Sequence, residues 1–90
     1  MTVHRTVEIV NKRGLHARAS AKFVKLASDF SAEVTVSRDG QTVDARSIMG
    51  LMMLGAGPGC VLEINAEGAE AKAALEALCE LVQSGFDEDL

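Results

Sequence analysis

Residues 32–45 run Ala-Glu-Val-Thr-Val-Ser-Arg-Asp-Gly-Gln-Thr-Val-Asp-Ala. Ala32, Val34 and Val36 alternate with Glu33, Thr35 and Ser37, the two-residue period of a strand with one apolar face. After Arg38-Asp39-Gly40 the alternation resumes over Thr42-Val43-Asp44-Ala45. Asp-Gly is a favoured hairpin pair because both turn residues must take positive φ, so the stretch is predicted to be a β-hairpin. Working toward the N-terminus, Val3, Val7 and Ile9 alternate with His4, Thr6 and Glu8, a half-buried strand running to about Val10. Arg5 is the misfit on its apolar side. The polar loop Asn11-Lys12-Arg13-Gly14 and then Leu15-His16 lead into a helical stretch over 17–29, where Ser20, Phe23, Val24, Ala27 and Phe30 share one face. Its other face carries Arg18, Lys22 and Lys25, a basic surface on an otherwise acidic chain.

Working toward the C-terminus, Ser47 precedes the apolar run Ile48-Met49-Gly50-Leu51-Met52-Met53-Leu54, which marks a short helix capped by the serine hydroxyl. Gly55-Ala56-Gly57-Pro58-Gly59 stops that helix. A strand follows, with Cys60, Leu62, Ile64 and Ala66 facing one way and Glu63 and Asn65 the other. Leu75, Leu78, Cys79 and Val82 then recur at helical spacing in a long amphipathic helix ended by Gly85, after which Phe86-Asp87-Glu88-Asp89-Leu90 reads as a short acidic tail. The order β-α-β-β-α-β-α predicts an α+β, two-layer architecture, one mostly antiparallel sheet with helices on a single face.

No internal repeat or linker divides the 90 residues, so 1–90 is expected to be one domain. A chain this short buries roughly 60–65% of its unfolded surface, which leaves room for one core and only a shallow site. The net charge of −4 and the lack of Trp and Tyr argue against nucleic-acid binding, which needs a basic stripe and stacking rings. No run approaches the roughly 20 apolar residues of a membrane span, and residues 1–10 alternate instead of forming a leader, so a cytoplasmic protein is expected. Cys60 and Cys79 are too few for a disulfide scaffold and read as free thiols. Neither they nor His4 and His16 show metal-ligand spacing, and no metal or cofactor is expected. Gly55–Gly59 follows a helix and precedes a strand, the reverse of a phosphate-cradling loop.

Three features bear on function. His16 stands just before a helix whose first turn contains Arg18, beside unpaired N–H groups and the positive end of the helix dipole, a setting suited to a phosphoryl group. The plainer reading is a loop residue that only caps the helix, and spacing alone does not overturn it. Three of the chain's four methionines fall in 49–53, on a helix that is apolar nearly all round, so it is either a small core helix or an exposed docking surface. Ser47 serves as a cap, and phosphorylated it would place a dianion beside that surface.

Taken together, Asn11-Lys12-Arg13-Gly14-Leu15-His16-Ala17-Arg18-Ala19-Ser20-Ala21-Lys22 and Ser47-Ile48-Met49-Gly50-Leu51-Met52-Met53-Leu54 closely resemble the two signatures of the HPr family. These are the histidine-containing phosphocarriers of the bacterial phosphotransferase system, and the likeness covers essentially the whole chain. The resemblance implies an open-faced β-sandwich, a four-stranded antiparallel sheet of order 1-4-2-3 covered by three helices. It implies that Nδ1 of His16 takes a phosphoryl group from Enzyme I, itself charged by phosphoenolpyruvate, and passes it to an EIIA-type protein, with Arg18 stabilising it. Ser47 matches the serine modified by HPr kinase/phosphorylase, and Ile48, Met49, Leu51 and Met52 would dock partners of a monomeric, cytoplasmic carrier. The alternative is a regulatory interaction module that uses helix 48–54 and never phosphorylates His16. Ala19 replaces the proline common in the family, which leaves a less restrained helix start. The ending Ser84-Gly85-Phe86-Asp87-Glu88-Asp89 resembles the nitrogen-related NPr branch.

Overall fold

The computed structural model describes residues 2–88, and its hairpin turns on Asp39 and Gly40, whose φ angles of 48° and 85° are both left-handed. That is the type I′ pattern, whose twist matches the flanking strands. Those strands are β2 (Glu33–Arg38) and β3 (Gln41–Asp44), with Arg38 opposite Gln41 and Val36 opposite Val43. Around the hairpin lie β1 (Thr2–Glu8), α1 (Ala17–Ala27), α2 (Ile48–Met53), β4 (Val61–Glu67) and α3 (Ala71–Gln83), giving the order β-α-β-β-α-β-α. The sheet order is β1-β4-β2-β3 and every pairing is antiparallel, so the chain adopts the open-faced sandwich its sequence implies.

β4 is the central element because it is paired on both edges. Leu62 sits opposite Val7 of β1, while Ile64 and Ala66 sit opposite Val36 and Val34 of β2. These side chains are at most 4% exposed and join Phe23 of α1, Leu51 of α2, and Leu75, Leu78 and Val82 of α3 in one apolar cluster. Fully burying a side chain of this size contributes roughly 1.5–3 kcal/mol, so the cluster dominates the fold's favourable energy. The other sheet face carries Thr6, Glu8, Glu63 and Glu67, all exposed. Arg5 lies opposite Ile64 on the covered side, yet it stays exposed beside the Cys79 thiol, its stem running past α3 to water. Burial pushes the pKa of Cys79 up, and the neighbouring Arg5 guanidinium pulls the other way.

Several boundaries differ from the sequence reading. Strand β1 ends at Glu8, although Ile9 still exchanges bonds with Cys60 and Gly59 across 2.8 and 2.9 Å. Helix α1 stops at Ala27 because Ser28 turns its hydroxyl onto the Val24 carbonyl oxygen at 2.8 Å and the following N–H groups tighten onto residues three back. Its buried stripe is rotated toward Ala19, leaving Val24 and Phe30 only partly buried. Phe86 belongs to the core at 0% exposure instead of a solvated tail, and Asp89 and Leu90 of that tail lie outside the described residues.

The loop before α1 is fastened to the loop after α2. Leu15 N–H donates to the Ala56 carbonyl oxygen at 3.0 Å, and Gly14 takes φ +59° to permit it. A Cβ on Gly14 would lie 2.1 Å from that oxygen and 2.8 Å from Gly57 Cα, both backbone atoms that cannot swing away. Gly14→Ala is therefore expected to cost about 3 kcal/mol or more, combining left-handed strain with overpacking. Urea unfolding measures it directly, and a loss below about 1 kcal/mol would show that the two loops part easily.

Candidate functional site

His16 is the residue immediately before α1, extended at φ −72° and ψ 178°, and its side chain caps the helix. The Nδ1 atom accepts from the Arg18 backbone N–H at 3.2 Å. An N–H donor at Nδ1 requires a lone pair there, so the ring hydrogen belongs on Nε2. Nε2 in turn lies 2.5 Å from Oε2 of Glu88, to which it donates. Nδ1 therefore carries the ring's lone pair, shared with the backbone N–H of an exposed residue, while the Nε2 contact is part-buried. At 14% exposure the side chain is more enclosed than a simple surface histidine.

Glu88 reaches the ring through a shaped turn. Gly85 N–H bonds the Val82 carbonyl oxygen at 3.0 Å and Phe86 N–H bonds that of Leu81 at 2.9 Å, the paired bonds of a glycine-terminated helix end. Gly85, Phe86 and Asp87 all then take left-handed φ, at 71°, 58° and 59°, and Glu88 N–H returns to the Gly85 carbonyl oxygen at 3.1 Å. Lys22 of α1 donates to the Phe86 carbonyl oxygen at 2.7 Å. Asn11, fully buried, gives one side-chain amide hydrogen bond to the Gly14 carbonyl oxygen and another to Glu88 Oε1, each at 3.0 Å. Its Oδ1 has no donor among the described residues, a cost of roughly 1–3 kcal/mol that the site carries to keep both amide bonds. The hydrogen bond from His16 holds the Glu88 carboxyl below its ordinary value of 4.5; desolvation opposes this, and the Asn11 hydrogen bond and electrostatic attraction to His16 and Lys22 assist. A lowered carboxyl pKa favours the docked turn above the unfolded value, and that contribution is lost as pH falls through the folded one.

The remaining sequence candidates fall on either side of this centre. Arg18 is exposed in the first turn of α1, and its backbone N–H reaches Nδ1 of the imidazole. Ala19 is completely buried and α1 begins at Ala17 all the same, so the helix start survives without proline. Ser47 is extended and its Oγ accepts from Gly50 N–H at 3.0 Å, the predicted cap of α2. At the far end of α2, Arg38 donates to the Leu54 carbonyl oxygen at 2.7 Å and supplies positive charge where the helix dipole is negative. Helix α2 presents Ile48, Met49, Met52 and Met53 outward, at 40%, 71%, 41% and 75% exposure.

Leu51 is a correction. It is 0% exposed and faces the core, so it cannot touch a partner, and Met53 takes its place on the outward stripe. Glu88 and Asn11 join the site without any sequence motif that marks them as site residues. The available signal was Gly85-Phe86: an aromatic residue directly after a helix-ending glycine turns inward and carries the next residues with it. Among the described residues, no group of three His, Cys, Asp or Glu side chains is placed to share a metal ion.

Comparison with known proteins agrees with this geometry. The family profile described as PTS HPr component phosphorylation site matches residues 3–84. The chain is 48% identical over 83 residues to the phosphocarrier protein HPr of Neisseria meningitidis serogroup A, covering 92% of this chain and 93% of that one. It is 44% identical over 90 residues to the phosphocarrier protein NPr of Escherichia coli, covering 99% and 100%. Among solved structures it is similar to HPr-C-His from Thermoanaerobacter tengcongensis, with a TM-score of 0.93, 46% identity, and coverage of 98% of this chain and 99% of that one. The chain thus belongs to the HPr family of phosphotransferase-system phosphocarriers, proteins that carry a phosphoryl group rather than turn over a substrate.

Proposed function

We propose that His16 is the phosphoryl acceptor of this carrier, charged by Enzyme I at the expense of phosphoenolpyruvate and discharged to an EIIA-type protein, with the nitrogen-type EIIA favoured by the NPr-like ending. The observation that carries the reading is the lone pair on Nδ1, held toward the Arg18 N–H at the start of α1. Once phosphorus is bound to Nδ1, that N–H is released to a phosphoryl oxygen, and the helix terminus and the Arg18 guanidinium offset the added charge. Arg18 is exposed, which suits a group that must meet two partners in turn. The outward stripe of Ile48, Met49, Met52 and Met53 supplies an apolar docking surface that flexible methionines adapt to different partners. We read the protein as a monomer working in the cytoplasm, where phosphoenolpyruvate is available. Among the described residues no helix is long and apolar enough to cross a membrane.

Ser47 is the proposed target of HPr kinase/phosphorylase. Its hydroxyl caps a helix whose next residue, Ile48, opens the docking stripe, so a phosphate there sits at a tolerated helix start and beside a surface that must stay apolar. A second reading, a regulatory module acting through α2 alone, is favoured by the same four exposed side chains. The two differ in whether an acid-labile phosphate ever forms.

Intact mass at alkaline pH, after incubation with phosphoenolpyruvate and Enzyme I from the same source, separates them. Wild type should gain one acid-labile phosphoryl group and His16→Ala none. A histidine variant that is still charged would sink the assignment, and an uncharged wild type beside autophosphorylated Enzyme I would favour the regulatory module. Ser47 needs two substitutions, because aspartate is as good a cap as serine whereas alanine removes the cap at about 1 kcal/mol. Ser47→Asp is expected to slow charging by Enzyme I with little loss of stability, and Ser47→Ala to lower the unfolding midpoint with charging intact. Equal charging of both variants would leave Ser47 as a cap only.

A further inference from the structure

The turn after α3 brings a carboxylate to the face of the His16 ring opposite the reacting nitrogen. Four separate features build that placement. The Phe86 ring is completely buried, anchoring the turn in the core. Lys22 holds the Phe86 carbonyl oxygen at 2.7 Å. The buried Asn11 amide holds Glu88 Oε1 at 3.0 Å and so aims Oε2 at the ring. The left-handed backbone at Phe86 and Asp87 is uncommon for residues with a Cβ, and it is what reverses the chain toward the start of α1. Glu88 itself is only 20% exposed.

We propose that Glu88 is a positioning residue for phosphoryl transfer: its carboxylate keeps the hydrogen of His16 on Nε2, so that the lone pair stays on Nδ1, and neutralises the ring when it becomes charged. The inference rests on the reading of His16 as the acceptor. The step balances as follows. The Nδ1 lone pair forms a bond to phosphorus while the bond from phosphorus to the donor's atom breaks and its electron pair leaves with the donor. No proton leaves the imidazole; Nε2 keeps its hydrogen, the ring carries one positive charge, and Glu88 faces that charge at hydrogen-bond distance. Outward transfer reverses the step, and the ring returns to the same neutral form. A carboxylate that orients a histidine through its other nitrogen is a general arrangement, and removing such a partner commonly costs 10- to 100-fold where the histidine binds a metal. The charged groups around the pair are Lys22 and Arg18 of α1, and Asn11 adds a neutral donor.

Initial rates of charging by phosphorylated Enzyme I, and the decay of the phosphohistidine at neutral pH, test the assignment on the full chain. Glu88→Ala should be charged about 10-fold more slowly. Its phosphohistidine should also decay more slowly, because acid lability belongs to the ring protonated at Nε2, and without the carboxylate that proton is held less well. Glu88→Gln, nearly the same shape and still able to accept through its carbonyl oxygen, should fall between Glu88→Ala and wild type in both measurements, which guards against a folding defect in the alanine variant. Asp87→Asn removes a charge from the same turn but touches Ser84 instead of His16, and should stay within about 2-fold of wild type. Charging or decay of Glu88→Ala equal to wild type overturns the role of Glu88 and leaves His16 as acceptor. A wild type that takes no phosphoryl group from competent Enzyme I overturns both.

Discussion

The bond from Leu15 N–H to the Ala56 carbonyl oxygen, reached only because Gly14 has no Cβ, is the contact from which the site is laid out. It seats the residue before His16 against the loop that follows α2, so the start of α1 and the end of α2 are fixed to each other through backbone atoms. Two surfaces far apart in sequence, the imidazole and the outward stripe of α2, thereby become neighbours on one rigid scaffold. The loops need no large apolar contact of their own, because β4 and the cluster behind it already hold α1 and α2 in place. What the glycine adds is close approach, which a side chain at that position forbids.

Placing Glu88 has a cost, and its size shows what holds the turn. Left-handed backbone costs roughly 1–2 kcal/mol per residue for Phe86 and Asp87, while complete burial of a phenylalanine returns about 1.5–3 kcal/mol. The two nearly cancel, so the bonds from Lys22 to the Phe86 carbonyl oxygen and from Asn11 to Glu88 decide the balance. The acidic contact at His16 is therefore delivered by a turn that the core and its polar anchors support. Protonating Glu88 weakens the last link of that chain without releasing Phe86.

Most of the fold was legible because its signals are local. Asp39-Gly40 specifies its own turn type, and the alternation in β2 and β4 leaves each strand one face to bury. His16 and Ser47 were legible as caps because capping is settled within a few residues. Leu51 was misplaced for a related reason: a helix of six residues that is apolar on every side has no polar face to mark which stripe is inward, and only its packing against α1 and β3 decides. Arg5 broke the pattern of β1 without breaking the strand, because a long side chain can start on the covered face and end in water. The contact between His16 and Glu88 spans 72 positions and depends on a backbone conformation that neither Phe nor Asp prefers. No periodicity carries that information, and an acidic ending reads as solvated until Phe86 is seen to be core.

A carrier has to surrender what it accepts, and the division of labour around one imidazole shows how a small fold meets that demand. A phosphoryl group buried deeply enough to be held tightly could not be handed on, yet a freely rotating surface histidine would present either nitrogen in either protonation state. Here the ring is held through Nε2 by a part-buried carboxylate and through Nδ1 by a backbone N–H, so its orientation is fixed at both nitrogens. The surrounding charge follows the same logic. The chain carries −4 overall, but Arg18, Lys22 and Lys25 gather on α1, a local excess of positive charge of the kind that steers anionic groups. The outward apolar stripe of α2 is confined to four side chains, an area well short of the core of a stable interface. Acceptance and release then use the same contacts in opposite order, which is the reason a carrier can work without stabilising either end of the exchange.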